Sequence, residues 1–322
     1  MKSVLLFRLG GLGDLMVAFP SISLLRKELS SHSLTLVCRN EYGLILEETG
    51  VVDEIVSVEQ KRFAPLFKSK PYPLELAQWL KEFSLILAWL QKENSLNHKE
   101  LCSFLGRKRC RFFLLDPDLP GPISKHFFEK TLEFLPSKKG PKSSFSDCIL
   151  LALSSSQKKA GLGLLGEGVS KEKEELAGRR QKIVVVHPGS GSKTKCWPLE
   201  NFMKIIHQLS QMGYRGVLVT GFAEIGMEDK LQKHTFPNEW VWLHHPPLMK
   251  LSGLLSASSL YLGNDSGITH LAAACGTKVV ALFRQDLEAA WKPYGQTTVL
   301  SGESISDISA HSVWEAVSQI LE

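Results

Sequence analysis

The sequence predicts an α/β fold of two doubly wound, Rossmann-like domains facing a central cleft. Three observations carry this reading. Short apolar runs of strand length alternate with amphipathic helical stretches along most of the chain. The series runs twice, on either side of a charged, low-pattern stretch between residues 136 and 182. In each half a glycine-rich or small polar turn follows a buried strand, where open parallel sheets bind their ligands.

The first half opens with a strand at residues 3–7. The turn Arg8-Leu9-Gly10-Gly11-Leu12-Gly13-Asp14 follows, then an amphipathic helix over residues 15–29. Glycines at 10, 11 and 13 let the backbone turn sharply beside a ligand. Their spacing is not that of the dinucleotide fingerprint, which argues against a nicotinamide dehydrogenase. Asp14, at the helix start, has two readings. An isolated aspartate there is most often a cap; held over a cleft, it is a general base. Strands are expected at 34–38, 54–58, 85–89 and 111–115, and helices at 42–48, 74–82 and 124–135. Residues 148–153 form a brief apolar run without an assignment. The domains are placed at residues 1–166 and 182–322, joined by a charged linker at 167–181.

The second half opens with a strand at 183–186. The loop His187-Pro188-Gly189-Ser190-Gly191-Ser192-Lys193-Thr194-Lys195-Cys196-Trp197-Pro198 leads into a helix over 199–212. Pro198 sits at the first turn, where proline fits. Hydroxyls, glycine amides and two lysines beside a helix start suit a phosphate or diphosphate. A polar surface loop is the plainer alternative, and the Walker pattern is absent. Strands at 216–220 and 240–242 and helices at 228–234 and 249–255 come next. His244-His245 has no third ligand at metal spacing and reads as loop.

The strand at 260–262 then enters Gly263-Asn264-Asp265-Ser266-Gly267-Ile268-Thr269-His270. This order puts Asp265 and Ser266 at the carboxyl end of a parallel strand and opens a helix at an anion-favouring end. A helix cap by Asp265 or Ser266 is the plain reading here too. A strand at 278–283, a late strand at 298–300 and a helix at 312–321 complete the chain.

Composition narrows the class. Of 322 residues, 43% are apolar and 22% charged, which excludes a disordered chain and gives enough core for two domains. No apolar run approaches the roughly 20 residues that span a bilayer, and the amino terminus lacks a secretory core. Six cysteines without C-x-x-C spacing read as reduced thiols of a cytoplasmic protein. Residues 1–160 hold 23 Lys/Arg against 17 Asp/Glu, while the rest hold 15 against 16. The first half is thus expected to meet an anionic partner, unless the basic face is merely solvated. No nucleic-acid module accompanies it.

Taken together, the motifs at 8–14, 187–198 and 263–273 resemble those of the ADP-heptose:lipopolysaccharide heptosyltransferases, glycosyltransferase family 9. The resemblance spans nearly the whole chain and is poorest between 136 and 182. It implies a GT-B fold and an inverting, metal-independent transfer of heptose from ADP-heptose to the lipopolysaccharide inner core. The acceptor would lie on the first domain, along Arg8, Gly10, Gly11 and Gly13, with Asp14 as general base. Ser190, Gly191, Ser192 and Lys195 would hold the donor diphosphate and stabilise the leaving ADP. Asp265, Ser266 and Gly267 fall where the family binds donor phosphate and heptose, and His270 lies one helical turn on. Either Glu224 or Glu228 would reach the ribose. No further cofactor is implied, and an anionic glycolipid acceptor implies peripheral contact with the inner membrane surface.

Two stretches depart from the family pattern. Aspartates common near the fourth strand are absent from Ser84-Leu85-Ile86-Leu87-Ala88. Phe283-Arg284-Gln285-Asp286 also stands where a Phe-Gly-x-Thr sequence is usual. Two other readings share the architecture: a nucleotide-sugar epimerase, and a member that binds without catalysing.

Overall fold

The computed structural model describes residues 3–67, 72–90, 97–115, 120–135, 143–166, 183–221 and 227–322. It divides into two compact units, Met1–Ile149 and Leu150–Glu322. The expected linker at 167–181, and Glu224, lie outside the described residues.

In the first unit the elements run β1 Ser3–Phe7, α1 Leu12–Glu28, β2 Ser33–Cys38, α2 Asn40–Glu48, β3 Glu54–Ser57, α3 Leu74–Lys81, β4 Leu85–Leu90, α4 His98–Leu105, β5 Cys110–Leu114 and α5 Ile123–Phe134. A short 3₁₀ stretch, Lys61–Phe67, precedes α3. The sheet order is β3-β2-β1-β4-β5, and every pairing is parallel. Val4, for example, is flanked by Leu34 and Leu85. The central strands are apolar on both faces because helices cover both. One face packs Phe7, Ile86 and Ala88 against Leu76 and Leu80 of α3 and Leu101 and Leu105 of α4. The other face carries α1 and α5, which pack together.

In the second unit come α6 Ser155–Leu162, β6 Ile183–His187, α7 Leu199–Gln211, β7 Arg215–Thr220, α8 Glu228–Leu231, β8 Trp240–His244, α9 Leu248–Ala257, β9 Leu260–Asn264, α10 Gly267–Ala274, β10 Val279–Arg284, α11 Gln285–Trp291, β11 Thr297–Gly302 and α12 Ala310–Leu321. Its sheet order is β11-β10-β9-β6-β7-β8, again all parallel. Val184 and Val186 of β6 share a core with Phe202, Ile206 and Leu209 of α7 and Val313 and Val317 of α12.

Both sheets have a switch point, where connections leave in opposite directions. It lies between β1 and β4 in the first and between β6 and β9 in the second. Crevices at such points, beyond the carboxyl ends of the strands, are where ligands bind.

The boundary between units falls earlier than the expected end of the first domain at 166. Residues 150–165 pack on the second unit: Leu151 N donates to Ala274 O, and α6 lies tightly on α9. Two glycines permit that approach. A Cβ at Gly161 would sit 2.1 Å from Leu254 N, and one at Gly253 2.1 Å from Gln157 O. Three helices also exceed the expectation. α4 is capped by Asn97, whose side chain accepts from Glu100 N, and α6 starts with a Ser154–Gln157 capping box. α11 buries no residue, so it lacks an apolar stripe to announce it.

Candidate functional site

In the first unit, α1 begins at Leu12, three residues before its expected start, with Gly11 as the extended N-cap residue. Asp14 is therefore the third helical residue, where a carboxylate closes a capping box. Gly11 N donates to Asp14 Oδ2 at 2.8 Å. Arg8 grips the same residue from behind: Nη2 reaches Asp14 Oδ1 at 3.2 Å and Nε reaches Asp14 O at 2.6 Å. Arg8 Nη1 crosses the switch point to Trp89 O of β4 at 2.8 Å. Its guanidinium also lies 5.4 Å from the centre of the Phe127 ring.

The Arg8 side chain is 1% exposed and that of Asp14 20%. Burial lowers the Arg8 pKa to about 10, and the nearby Asp14 charge works the other way. Arg8 thus stays a cation at neutral pH. Gly10 has φ +111°, and a Cβ there would lie 2.3 Å from Asp14 Oδ2. Only glycine lets the turn run this close to the carboxylate. Gly13 is the second residue of α1. The four expected loop residues and Asp14 therefore form one structure, in which the capping role and a partly exposed carboxylate coexist.

The second unit assembles the other residues at its switch point. Asn264, which ends β9, holds both ends of the loop after β6. Its Nδ2 donates to Pro188 O at 2.7 Å, and its Oδ1 accepts from Trp197 N at 3.1 Å. Trp197 is anchored again by Nε1 to Ile308 O at 2.8 Å. On this frame Lys195 Nζ lies 2.6 Å from Asp265 Oδ2, and Ser190 Oγ donates to Asp265 O at 2.6 Å. Ser192 caps the 3₁₀ turn Lys193–Lys195, its Oγ accepting from Thr194 N. Gly191 is exposed between them.

Ser266, not Asp265, caps α10: its Oγ accepts from Thr269 N at 3.3 Å. Ser266 Oγ also lies 3.2 Å from His187 Nδ1. Thr269 Oγ1 continues the chain of contacts to Tyr261 Oη at 3.0 Å. Gly267 opens the helix at the anion-favouring end. His270 is buried within α10, at 2% exposure. Glu228 opens α8, and Glu224 lies outside the described residues.

Sequence reasoning assigned no role to His187, Asn264 or Trp89. Asn264 was the most findable, as a polar residue ending an apolar strand, where only a fixed hydrogen-bonding role justifies burial. A further polar cluster closes β7 and β8. Trp242 Nε1 donates to Thr220 Oγ1 at 2.9 Å, and His244 Nδ1 lies 3.2 Å from the same hydroxyl. His244 therefore ends a strand and does not lie in a loop. Arg284, at the end of β10, forms two contacts with Asp286, at 3.1 and 2.9 Å.

None of the six cysteines is in a disulfide. Burial pushes the thiols of Cys38, Cys110 and Cys275 up to about 12, so these supply no thiolate nucleophile. Among the described residues no group of His, Cys, Asp or Glu is placed to hold a metal ion. No described helix is long and apolar enough to cross a membrane.

The family model described as glycosyltransferase family 9 (heptosyltransferase) matches residues 142–312. Lipopolysaccharide heptosyltransferase 3 of Escherichia coli K12 is 28% identical over 128 residues, 39% of this chain and 37% of that protein. The chain thus aligns with little more than a third of that relative's length. Two solved structures superpose over almost the full length. The glycosyl transferase family 9 protein of Veillonella parvula DSM 2008 gives a TM-score of 0.75 at 16% identity, covering 99% of this chain and 97% of the other. The ADP-heptose lps heptosyltransferase II of E. coli gives 0.73 at 16% identity, covering 100% and 98%.

Two doubly wound parallel units, superposing on these proteins from end to end, define the GT-B glycosyltransferase fold. The chain belongs to glycosyltransferase family 9, the heptosyltransferase family.

Proposed function

We propose that this protein is an inverting glycosyltransferase that moves heptose from ADP-heptose to an inner-core acceptor of lipopolysaccharide at the cytoplasmic face of the inner membrane. The observation that carries the reading is the Lys195–Asp265 pair, set with Ser190 and Ser266 at the switch point of the second sheet. An ammonium, hydroxyls and a helix start together suit a diphosphate. The relatives, an ADP-heptose lps heptosyltransferase and a lipopolysaccharide heptosyltransferase, supply ADP-heptose as the donor and lipopolysaccharide as the acceptor class.

In this reading Asp14 takes the proton of the acceptor hydroxyl. The hydroxyl oxygen then attacks the anomeric carbon, and the bond from that carbon to the diphosphate oxygen breaks with inversion. Lys195, Ser190, Ser192 and the loop amides around Gly191 and Gly267 receive the charge that develops on the leaving ADP. Asp265 holds Lys195 in place and accepts hydrogen bonds from heptose hydroxyls. His270 supports the same wall by packing, and Glu224 or Glu228 binds the ribose. Arg8, Gly10, Gly11 and Gly13 shape the turn that presents Asp14. No cofactor besides the donor takes part.

Transfer of heptose from ADP-heptose to heptose-deficient core lipid tests this. Asp14→Asn is expected to lower kcat by about 10²–10⁴-fold while leaving ADP affinity near that of the wild type. Consumption of donor at the same rate without acceptor, or full activity in Asp14→Asn, would overturn the assignment.

A further inference from the structure

The first unit carries an exposed apolar and basic face that neither its core nor the proposed chemistry uses. Leu74, the first residue of α3, is 73% exposed, and Phe104, near the end of α4, is 39% exposed. They belong to one surface. The Tyr72 ring, two residues before Leu74, meets the Phe104 ring edge-on, with centroids 5.4 Å apart. Lys81 lies two helical turns after Leu74, on the same side of α3, and its ammonium sits 5.2 Å from the centre of the Phe104 ring. The buried side of α3, by contrast, is Leu76, Ala77 and Leu80.

A basic turn borders this face. Gly106, with φ +88°, caps the end of α4, and Arg107 and Lys108 follow, both exposed. Arg109 closes the turn by donating to Lys81 O at 2.7 Å, which ties it to the end of α3. Lys99 is exposed on α4. Glu75 and Glu82 are the exposed acids of the same two helices and their ends, so cations outnumber acids here.

We infer that Leu74, Phe104, Lys81 and the Arg107–Lys108 turn form the surface by which this protein docks on a membrane rich in anionic lipid. A single exposed leucine is ordinary. An aromatic pair beside it, a lysine ammonium beside the ring and a basic rim are what a headgroup boundary selects. Apolar side chains enter the acyl edge while ammonium and guanidinium groups stay among the phosphates. The charge balance agrees, since the basic excess lies in residues 1–160. The inference deepens the proposed function only in giving a lipid-linked acceptor a place to be met; the surface itself is testable without any transfer reaction.

The test is co-sedimentation of the full chain with vesicles of equal parts phosphatidylglycerol and phosphatidylcholine, against phosphatidylcholine alone. Binding is expected only with phosphatidylglycerol and should weaken as salt rises. Leu74→Asp and the double variant Arg107→Ser/Lys108→Ser should each lower the partition coefficient by about tenfold, with unchanged melting temperature. Transfer to a lipid-free acceptor should be unaltered in both. Equal binding to both vesicles, or variants that bind like the wild type, would overturn the inference. So would a concentration-dependent dimer abolished by Leu74→Asp, which would assign the face to a second copy. If vesicle binding behaves as expected while the wild type shows no transfer, the docking surface stands and the proposed reaction fails.

Discussion

Lys195 Nζ and Asp265 Oδ2 lie 2.6 Å apart, joining the loop after β6 to the end of β9. The Asp265 side chain is 7% exposed and that of Lys195 31%. Removing the lysine alone therefore leaves a buried carboxylate without its cation. Lys195→Met is expected to destabilise the second unit by about 1–3 kcal/mol, the lower part of the range reflecting the solvent that reaches Lys195. The double variant Lys195→Met/Asp265→Asn should recover most of that loss without recovering donor binding. Thermal unfolding of the two variants, paired with ADP titration, separates these effects.

Asp14 both caps α1 and pairs with Arg8, so alanine is a poor probe of its chemistry. Asp14→Ala strips the charge partner from an arginine whose side chain is 1% exposed. It should cost about 3 kcal/mol. Asp14→Asn also removes the charge but keeps an oxygen for Gly11 N, so it should cost less than the alanine variant. Melting curves of the two variants check the ordering. Only the asparagine variant then gives a clean kinetic reading.

Asn264 holds the loop that carries Ser190, Ser192 and Lys195. Asn264→Ala leaves the buried Trp197 N–H without its acceptor and frees Pro188 O as well. A loss of about 1–3 kcal/mol is expected, together with weaker ADP binding, although no contact between Asn264 and the donor is invoked. Unchanged ADP affinity in a destabilised Asn264→Ala would show that the loop holds its shape without this anchor.

Acid stability should depend on Asp53. Burial alone would raise its pKa, but the hydrogen bond from Leu34 N at 2.7 Å and the Arg26 guanidinium at 2.5 Å bring it below its ordinary 3.8. A depressed carboxyl stabilises the fold above its unfolded value, and that contribution disappears as pH falls through the folded one. The melting temperature of the wild type should therefore drop more steeply below about pH 4 than that of Asp53→Asn. Parallel pH profiles would contradict the role.

Much of this was legible in the sequence because parallel strands buried on both faces read as apolar runs. Val184, Val185 and Val186, or Leu260, Tyr261 and Leu262, leave little choice. The membership of Asp14, Ser190, Lys195 and Asp265 in three polar turns followed from loops placed directly after such strands. Three things did not follow. α6 binds α9 through Gly161 and Gly253, and two glycines carry no apolar signal. The partnership of Lys195 with Asp265 spans 70 residues and needs the β6–β9 pairing to be known. Asn264 looks like part of a turn until its two loop contacts are seen.

Calorimetric titration of ADP, UDP and GDP into the wild type and Lys195→Ala tests the central claim most directly. ADP should bind in preference to UDP and GDP, and Lys195→Ala should weaken it by about tenfold or more, in keeping with a lost charge-assisted contact. Preference for UDP or GDP would remove ADP-heptose as donor while keeping a sugar-nucleotide enzyme. ADP affinity indifferent to Lys195 would contradict the placement of the diphosphate at the β6–β9 switch point.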